Sequence, residues 1–135
     1  MRFRRFPPPR PDTSEAYPAG SVSPDETARE FLDEQVELLQ QKDVDALLDR
    51  HYHPDALLVT QQVAVCGHAA LRDYFTQYVA ALGDFVVNSV DLLSAADDAI
   101  LFEATVTSTL SQARVYDAFV LQDGRATHHF AGVIG

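Results

Sequence analysis

Apolar positions in the first half of the chain recur with helical spacing, and in the second half they alternate every second residue. Ala28, Phe31, Leu32, Gln35, Val36 and Leu39 form a stripe at helical intervals, with Asp33, Glu34 and Glu37 on the polar side. Ser23 suits the N-cap of this helix, Pro24 its first position, and Glu26 completes a capping box. Asp43 can cap a second, shorter helix through Leu47, Leu48 and Tyr52, which Pro54 ends. Two short apolar runs follow, Ala56 to Thr60 and Val63 to Cys66, and both read as strands. Gly67 precedes a third helix whose buried side is marked by Leu71, Phe75, Tyr78 and Leu82, and Gly83 stops it.

Beyond Asp84 the period is two. Phe85 to Leu93 reads as a strand and Ala96-Asp97-Asp98 as a turn. From Ile100 to Leu110, Ile100, Phe102, Ala104 and Val106 point inward while Glu103, Thr105 and Thr107 point outward. The last segment, Ala113 to Ile134, has two strand-forming runs flanking Gln122-Asp123-Gly124 and predicts a β-hairpin. Helices first and antiparallel strands afterwards is the α+β pattern. The expected fold is three N-terminal helices packed on a strongly curved, mostly antiparallel sheet.

The closing hairpin breaks its own pattern in a way that points to chemistry. Asp117 interrupts Val115-Tyr116-Asp117-Ala118-Phe119, and His128 and His129 lie on the returning strand. An ionisable group on a core-facing strand costs on the order of several kcal/mol unless it is paired or neutralised. A three-residue loop with Gly124 in the left-handed region pairs Leu121 with Arg125 and sets Asp117 opposite His129. It gathers Asp117, Phe119, Thr127 and His129 on one face and Tyr116, Ala118 and Val120 on the other. A two-residue Asp-Gly turn would instead pair Ala118 with His129 and send Asp117 to the opposite face. The three-residue loop is the favoured expectation.

Composition narrows the class of protein. The chain has 135 residues, enough for one domain with a proper core, with 47% hydrophobic and 22% charged residues. Residues 1–24 hold six of the seven prolines and four arginines against Asp12 and Glu15, so they predict a basic arm or tail. The domain is expected over residues 25–135, where six basic residues face 18 acidic ones. A body that acidic repels phosphate backbones, which argues against nucleic-acid binding. No apolar run approaches the roughly 18 residues of a membrane span. The single cysteine, Cys66, allows no internal disulfide, and a cytoplasmic location is the simplest expectation.

Three passages resemble the nuclear transport factor 2-like superfamily, in its SnoaL-like polyketide cyclase branch. They are QKDVDALLDRHYHPDALLV, with Asp55-Ala56 at the strand start, VCGHAALRDYF, with Gly67 opening the third helix, and VYDAFVLQDGRATHHF, the closing hairpin. In order and spacing they cover residues 25 to 135. The resemblance implies a cone-shaped cavity between sheet and helices, commonly in a homodimer; the expected protein needs no cofactor. It places Asp117 where the family often carries a pocket acid that shuttles a proton, and His129 where it often carries a pocket histidine. It also implies departures: the steroid-isomerase base would fall near Thr60, its partner tyrosine near Gln35, and Ala131 stands at a position often acidic. The chain therefore does not resemble a steroid isomerase in its site.

The candidate catalytic residues are thus Asp117 and His129. Such a pair could relay a proton in enolisation or aldol closure of a small apolar carbonyl compound, or serve structurally in a narrow core or a binding-only pocket. Tyr52, Tyr74, Tyr78, Phe102 and Phe119, with Phe75 and Phe130, are candidates for pocket walls or for plain core. His51 and His53 beside Asp55, and the pair His128 and His129, invite a metal reading. Adjacent strand residues point to opposite faces, so no metal site is expected. Partners are therefore expected to be a small apolar ligand and a second copy of the chain.

Overall fold

The structure is a computed structural model that describes residues 23–135. The expected arm, residues 1–24, lies outside the described residues except for Ser23 and Pro24. The elements run α1 (Pro24–Gln40), α2 (Val44–His51), β1 (Tyr52–Thr60), β2 (Ala64–Cys66), α3 (His68–Leu82), β3 (Val86–Ala95), β4 (Ala99–Thr107), β5 (Gln112–Gln122) and β6 (Arg125–Val133). They form an α+β fold with one open, curved six-stranded sheet in the order β2-β1-β6-β5-β4-β3. Every strand pair is antiparallel except β1 with β6.

Local chemistry sets the helix limits as expected. The Ser23 side chain accepts from Glu26 N at 3.2 Å and the Asp43 side chain from Ala46 N at 3.2 Å, each meeting an otherwise unpaired first-turn donor. Gly83, at φ 65°, ends α3. One expectation shifts: α2 stops at His51, and Tyr52 begins β1 instead of closing the helical stripe. Tyr52 is drawn out of the helix by parallel pairing with Ala126 on β6.

The core joins Phe31 and Leu32 of α1, Leu47 and Leu48 of α2, Leu71 and Phe75 of α3 to Leu58, Ile100, Phe102, Ala104 and Phe119 of the sheet. Ile100, Phe102 and Ala104 are the inward positions expected from alternation. The opposite sheet face carries an exposed apolar patch beside the Arg114, Glu103 and Asp91 ion pairs. Leu101, Val120 and Phe130 project there, near Ala118, which pairs with both Leu101 and Phe130. Tyr116 lies over Gly132 so closely that an added Cβ would meet its ring at 2.6 Å.

The hairpin turn differs from expectation. Asp123 (φ 54°) and Gly124 (φ 77°) form a two-residue turn with both residues in the left-handed region, so Gln122 pairs with Arg125 and Leu121 with Ala126. The register then shifts by one at Thr127, and beyond it Val120 pairs with His128, Phe119 with His129 and Asp117 with Ala131. This bulge reverses the change of face that the shorter turn would impose. Ala126, not Thr127, takes the buried inward position, and Thr127 donates its hydroxyl to Val120 O at 3.2 Å.

Candidate active site

Asp117 and His129 meet, but diagonally. Each is two residues from being the other's direct cross-strand partner, a separation long side chains span. The His129 Nε2–Asp117 Oδ1 distance is 2.7 Å. His129 is held by its ring: Phe119, directly opposite, stacks on it at 4.1 Å between centroids and 22° between planes. Asp117 has Phe102 across from it on β4 and the small Ala131 across on β6. Its side chain keeps 26% of its surface exposed, against 5% for His129. A carboxylate that reaches solvent from a buried imidazole can exchange a proton with a bound molecule.

The pair continues inward. His129 Nδ1 lies 2.8 Å from the Tyr52 hydroxyl, which also accepts from Gln35 Nε2 at 3.0 Å. Gln35 Oε1 lies 2.6 Å from His51 Nδ1, and His51 Nε2 lies 3.5 Å from Glu34 Oε2, while Arg50 holds the other Glu34 oxygen at 3.0 Å. Buried and half-buried polar groups from α1, α2, β1, β5 and β6 thus form one connected chain. Among the described residues no buried side-chain nitrogen or oxygen lacks a partner. A second connection runs beside it through rings: His51 stacks on Phe31 at 4.0 Å, Phe31 meets Phe119 edge-on at 5.0 Å, and Phe119 stacks on His129.

Sequence reasoning finds Asp117 and His129 and misses Gln35 and His51 as members of the chain. Gln35 is visible as a polar residue inside an apolar helical stripe. His51 gives less signal, because its spacing to His53 resembles a metal-ligand pair. The structure separates those two: His53 Nε2 bonds Gln122 O at 2.7 Å, while His51 turns into the core. His128 leaves on the other face, its Nδ1 3.0 Å from Thr127 Oγ1. Thr60 accepts from the N–H groups of Gln62 and Val63 at 3.1 Å and so fixes the β1–β2 turn.

The aromatic candidates divide. Tyr52, Phe102 and Phe119 are buried core, while Tyr74 and Tyr78 of α3 are half-buried. Phe102 lines a 150 Å³ crevice between α1 and β3 with Leu32, Val36, Val87 and Val90. That crevice does not include Asp117 or His129.

Burial and the Asp117 charge act together on the tyrosines. Burial first, then the Asp117 carboxylate, pushes the Tyr78 hydroxyl up to about 12 and Tyr74 upward too. Tyr52 is raised well above its ordinary range, chiefly by burial. His51 is lowered, because burial outweighs the attraction of Glu34. Glu34 is itself lowered, first by its hydrogen bond from Arg50. These shifts predict a plateau of stability. Tyr78 ionises near 10 when unfolded and near 12 when folded, so its contribution is intact below about pH 10 and lost as pH rises through 12. The unfolded chain protonates His51 near 6.5, before the folded one, so that contribution holds above about 6.5 and falls as pH drops. Urea melts should be steepest in free-energy loss on these two flanks and flat between them.

The model of the SnoaL-like domain matches residues 29–129, most of the chain. The chain belongs to the SnoaL-like family. Solved structures place this SnoaL-like chain among nuclear transport factor 2-like folds. A candidate polyketide cyclase from Sinorhizobium meliloti matches with a TM-score of 0.65 and 19% identity, over 76% of this chain and 93% of that one. An NTF-2 like protein from Burkholderia xenovorans matches at 0.66 and 18%, over 82% and 84%. A candidate ketosteroid isomerase from Kribbella flavida matches at 0.68 and 14%, over 85% and 83%. At these identities the likeness concerns the fold. No curated protein matches the chain in sequence. Among the described residues no helix is long and apolar enough to cross a membrane.

Proposed function

We propose that this SnoaL-like protein binds a small apolar carbonyl compound and moves a proton on it, in a cyclisation, isomerisation or related reaction that needs no cofactor. Asp117 is the acid/base and His129 its hydrogen-bonded partner. The observation that carries this reading is the 2.7 Å bond between a buried imidazole and a carboxylate that still reaches solvent. An ionised carboxylate beside apolar Phe102 and Ala131 can take a proton from a carbon next to a carbonyl, then return it elsewhere on the substrate. Tyr74 and Tyr78 are the substrate's flanking walls, with Tyr52, Phe102 and Phe119 behind them, in a cone between the sheet and α3. Likeness in fold to a candidate polyketide cyclase and a candidate ketosteroid isomerase supports the class without fixing the substrate.

The test is solvent-deuterium incorporation into a panel of apolar ketones and aldehydes. The expected outcome is exchange at the carbon beside the carbonyl, well above the buffer rate, for at least one of them. Exchange at the buffer rate throughout, together with a small molecule bound in native mass spectrometry, would turn the reading to ligand binding without catalysis.

A second reading concerns assembly, and the outer sheet face favours it. Leu101, Val120 and Phe130 are each about two-fifths exposed on adjoining strands, an apolar patch of the kind that marks an interface. The occupant is a second copy of the chain, paired sheet to sheet. Phe130→Glu, on the β6 side of that patch, should convert the dimer to monomer by light scattering while the circular dichroism spectrum is unchanged. A wild-type protein that is monomeric at tens of micromolar would overturn this reading.

A further inference from the structure

The hydrogen-bond chain behind Asp117 has a direction, and that direction is set at its far end. Gln35 has a carbonyl and an amide, one at each end. Its carbonyl faces His51 Nδ1 at 2.6 Å, so that nitrogen carries the proton and donates. Its amide must then face Tyr52, and it donates to the hydroxyl oxygen at 3.0 Å. Tyr52 has one proton to give, and its remaining neighbour is His129 Nδ1 at 2.8 Å. His129 accepts there, so its own proton resides on Nε2, where it donates to Asp117 at 2.7 Å. Every donor from Gln35 onward points toward Asp117, which is left as a carboxylate facing a neutral imidazole. Burial keeps the Tyr52 hydroxyl protonated far into alkaline solution, which preserves this order.

The chain does not conduct protons, because an amide passes one on only through its imidic acid form. It orients. We propose that Gln35, locked by His51, is a positioning residue that holds His129 in its neutral Nε2–H form and so keeps Asp117 available as a base. The proposal deepens the acid/base reading of Asp117 and rests on it for its catalytic meaning, although the proton positions can be measured without any substrate. The titratable groups facing the chain are Asp117 on β5, Tyr52 on β1, Tyr74 and Tyr78 on α3, and Glu34 on α1 with Arg50 and His51 on α2.

The test is the nitrogen NMR of His129 in the full chain, read across pH. Wild type should show the Nε2–H tautomer above its titration. In Gln35→Glu a carboxylate replaces the amide, Tyr52 turns its proton to residue 35, and His129 Nδ1 then faces a hydroxyl oxygen that can only accept. His129 should take its second proton at a pH higher by about one unit or more, a tenfold gain in proton affinity. Gln35→Met, which removes the donor without adding charge, should move it the same way by less. Both shifts should vanish in a Tyr52→Phe background. A titration unmoved in either variant, or a shift that persists without the Tyr52 hydroxyl, would overturn the proposal, the latter by showing a through-space field. Loss of the Asp117 reading would appear separately, as absent deuterium exchange with these NMR shifts intact.

Discussion

Replacing Asp117 with asparagine should lower turnover by about 10²- to 10⁴-fold on whichever carbonyl compound the wild type exchanges, while the protein melts within a few degrees of it. The two halves of that expectation come from one structural fact. The asparagine side chain keeps a carbonyl oxygen where the Oδ1 atom of Asp117 now accepts from His129 Nε2 at 2.7 Å. The imidazole therefore retains its partner, its tautomer and its stack on Phe119. Only the ability to hold a transferred proton disappears. Exchange rates and thermal melts measured together separate the outcomes. A variant with wild-type exchange would remove Asp117 from the chemistry. A variant that loses both exchange and fold would mean that the carboxylate is a structural group whose charge the core requires. His129→Gln would be a poorer probe, since it removes the ring that Phe119 packs against along with the titratable nitrogen.

Much of this site is legible in the sequence because of where an ionisable residue interrupts an apolar alternation. Asp117 and His129 stand out that way, and so does their common face. The route to that face is not legible. Gln122-Asp123-Gly124 fits either a two- or a three-residue loop, and the structure takes the shorter turn and then inserts a bulge at Thr127. A bulge is decided by what the returning strand must pack, here His129 against Phe119, and no local pattern encodes it. Gln35 and His51 are hidden for a different reason. Their bonds join residues 16 or 17 positions apart, and those bonds exist only once α1, α2 and β1 are folded together. Periodicity sets Tyr52 at the end of a helix because Leu48 and Tyr52 are in helical phase, whereas pairing with β6 makes it the first residue of a strand. Helix caps and inward strand positions follow their local signals closely, since Ser23, Asp43, Ile100 and Phe102 act through neighbours in sequence or simple periodicity.

Phe119→Ala should be the most damaging single change to the fold, lowering stability by about 3–5 kcal/mol. Phe119 is 2% exposed, and its ring packs on His129 directly and reaches His51 only through Phe31. It stacks on His129 at 4.1 Å and meets Phe31, itself stacked on His51, at 5.0 Å. Truncation leaves a cavity that Ile100, its cross-strand neighbour, cannot fill without moving the sheet. The loss should appear as a lower urea midpoint with an unchanged denaturant slope, because the surface exposed on unfolding is nearly the same. Phe119→Leu should recover most of the stability, since it restores apolar volume. It should not restore the site to the same degree, because a leucine offers no flat face to hold the imidazole plane toward Asp117. The pair of variants thus separates two duties of one ring. If the leucine variant matched wild type in both stability and the tautomer of His129, packing alone would account for Phe119, and the hydrogen bonds to Tyr52 and Asp117 would suffice to orient the histidine.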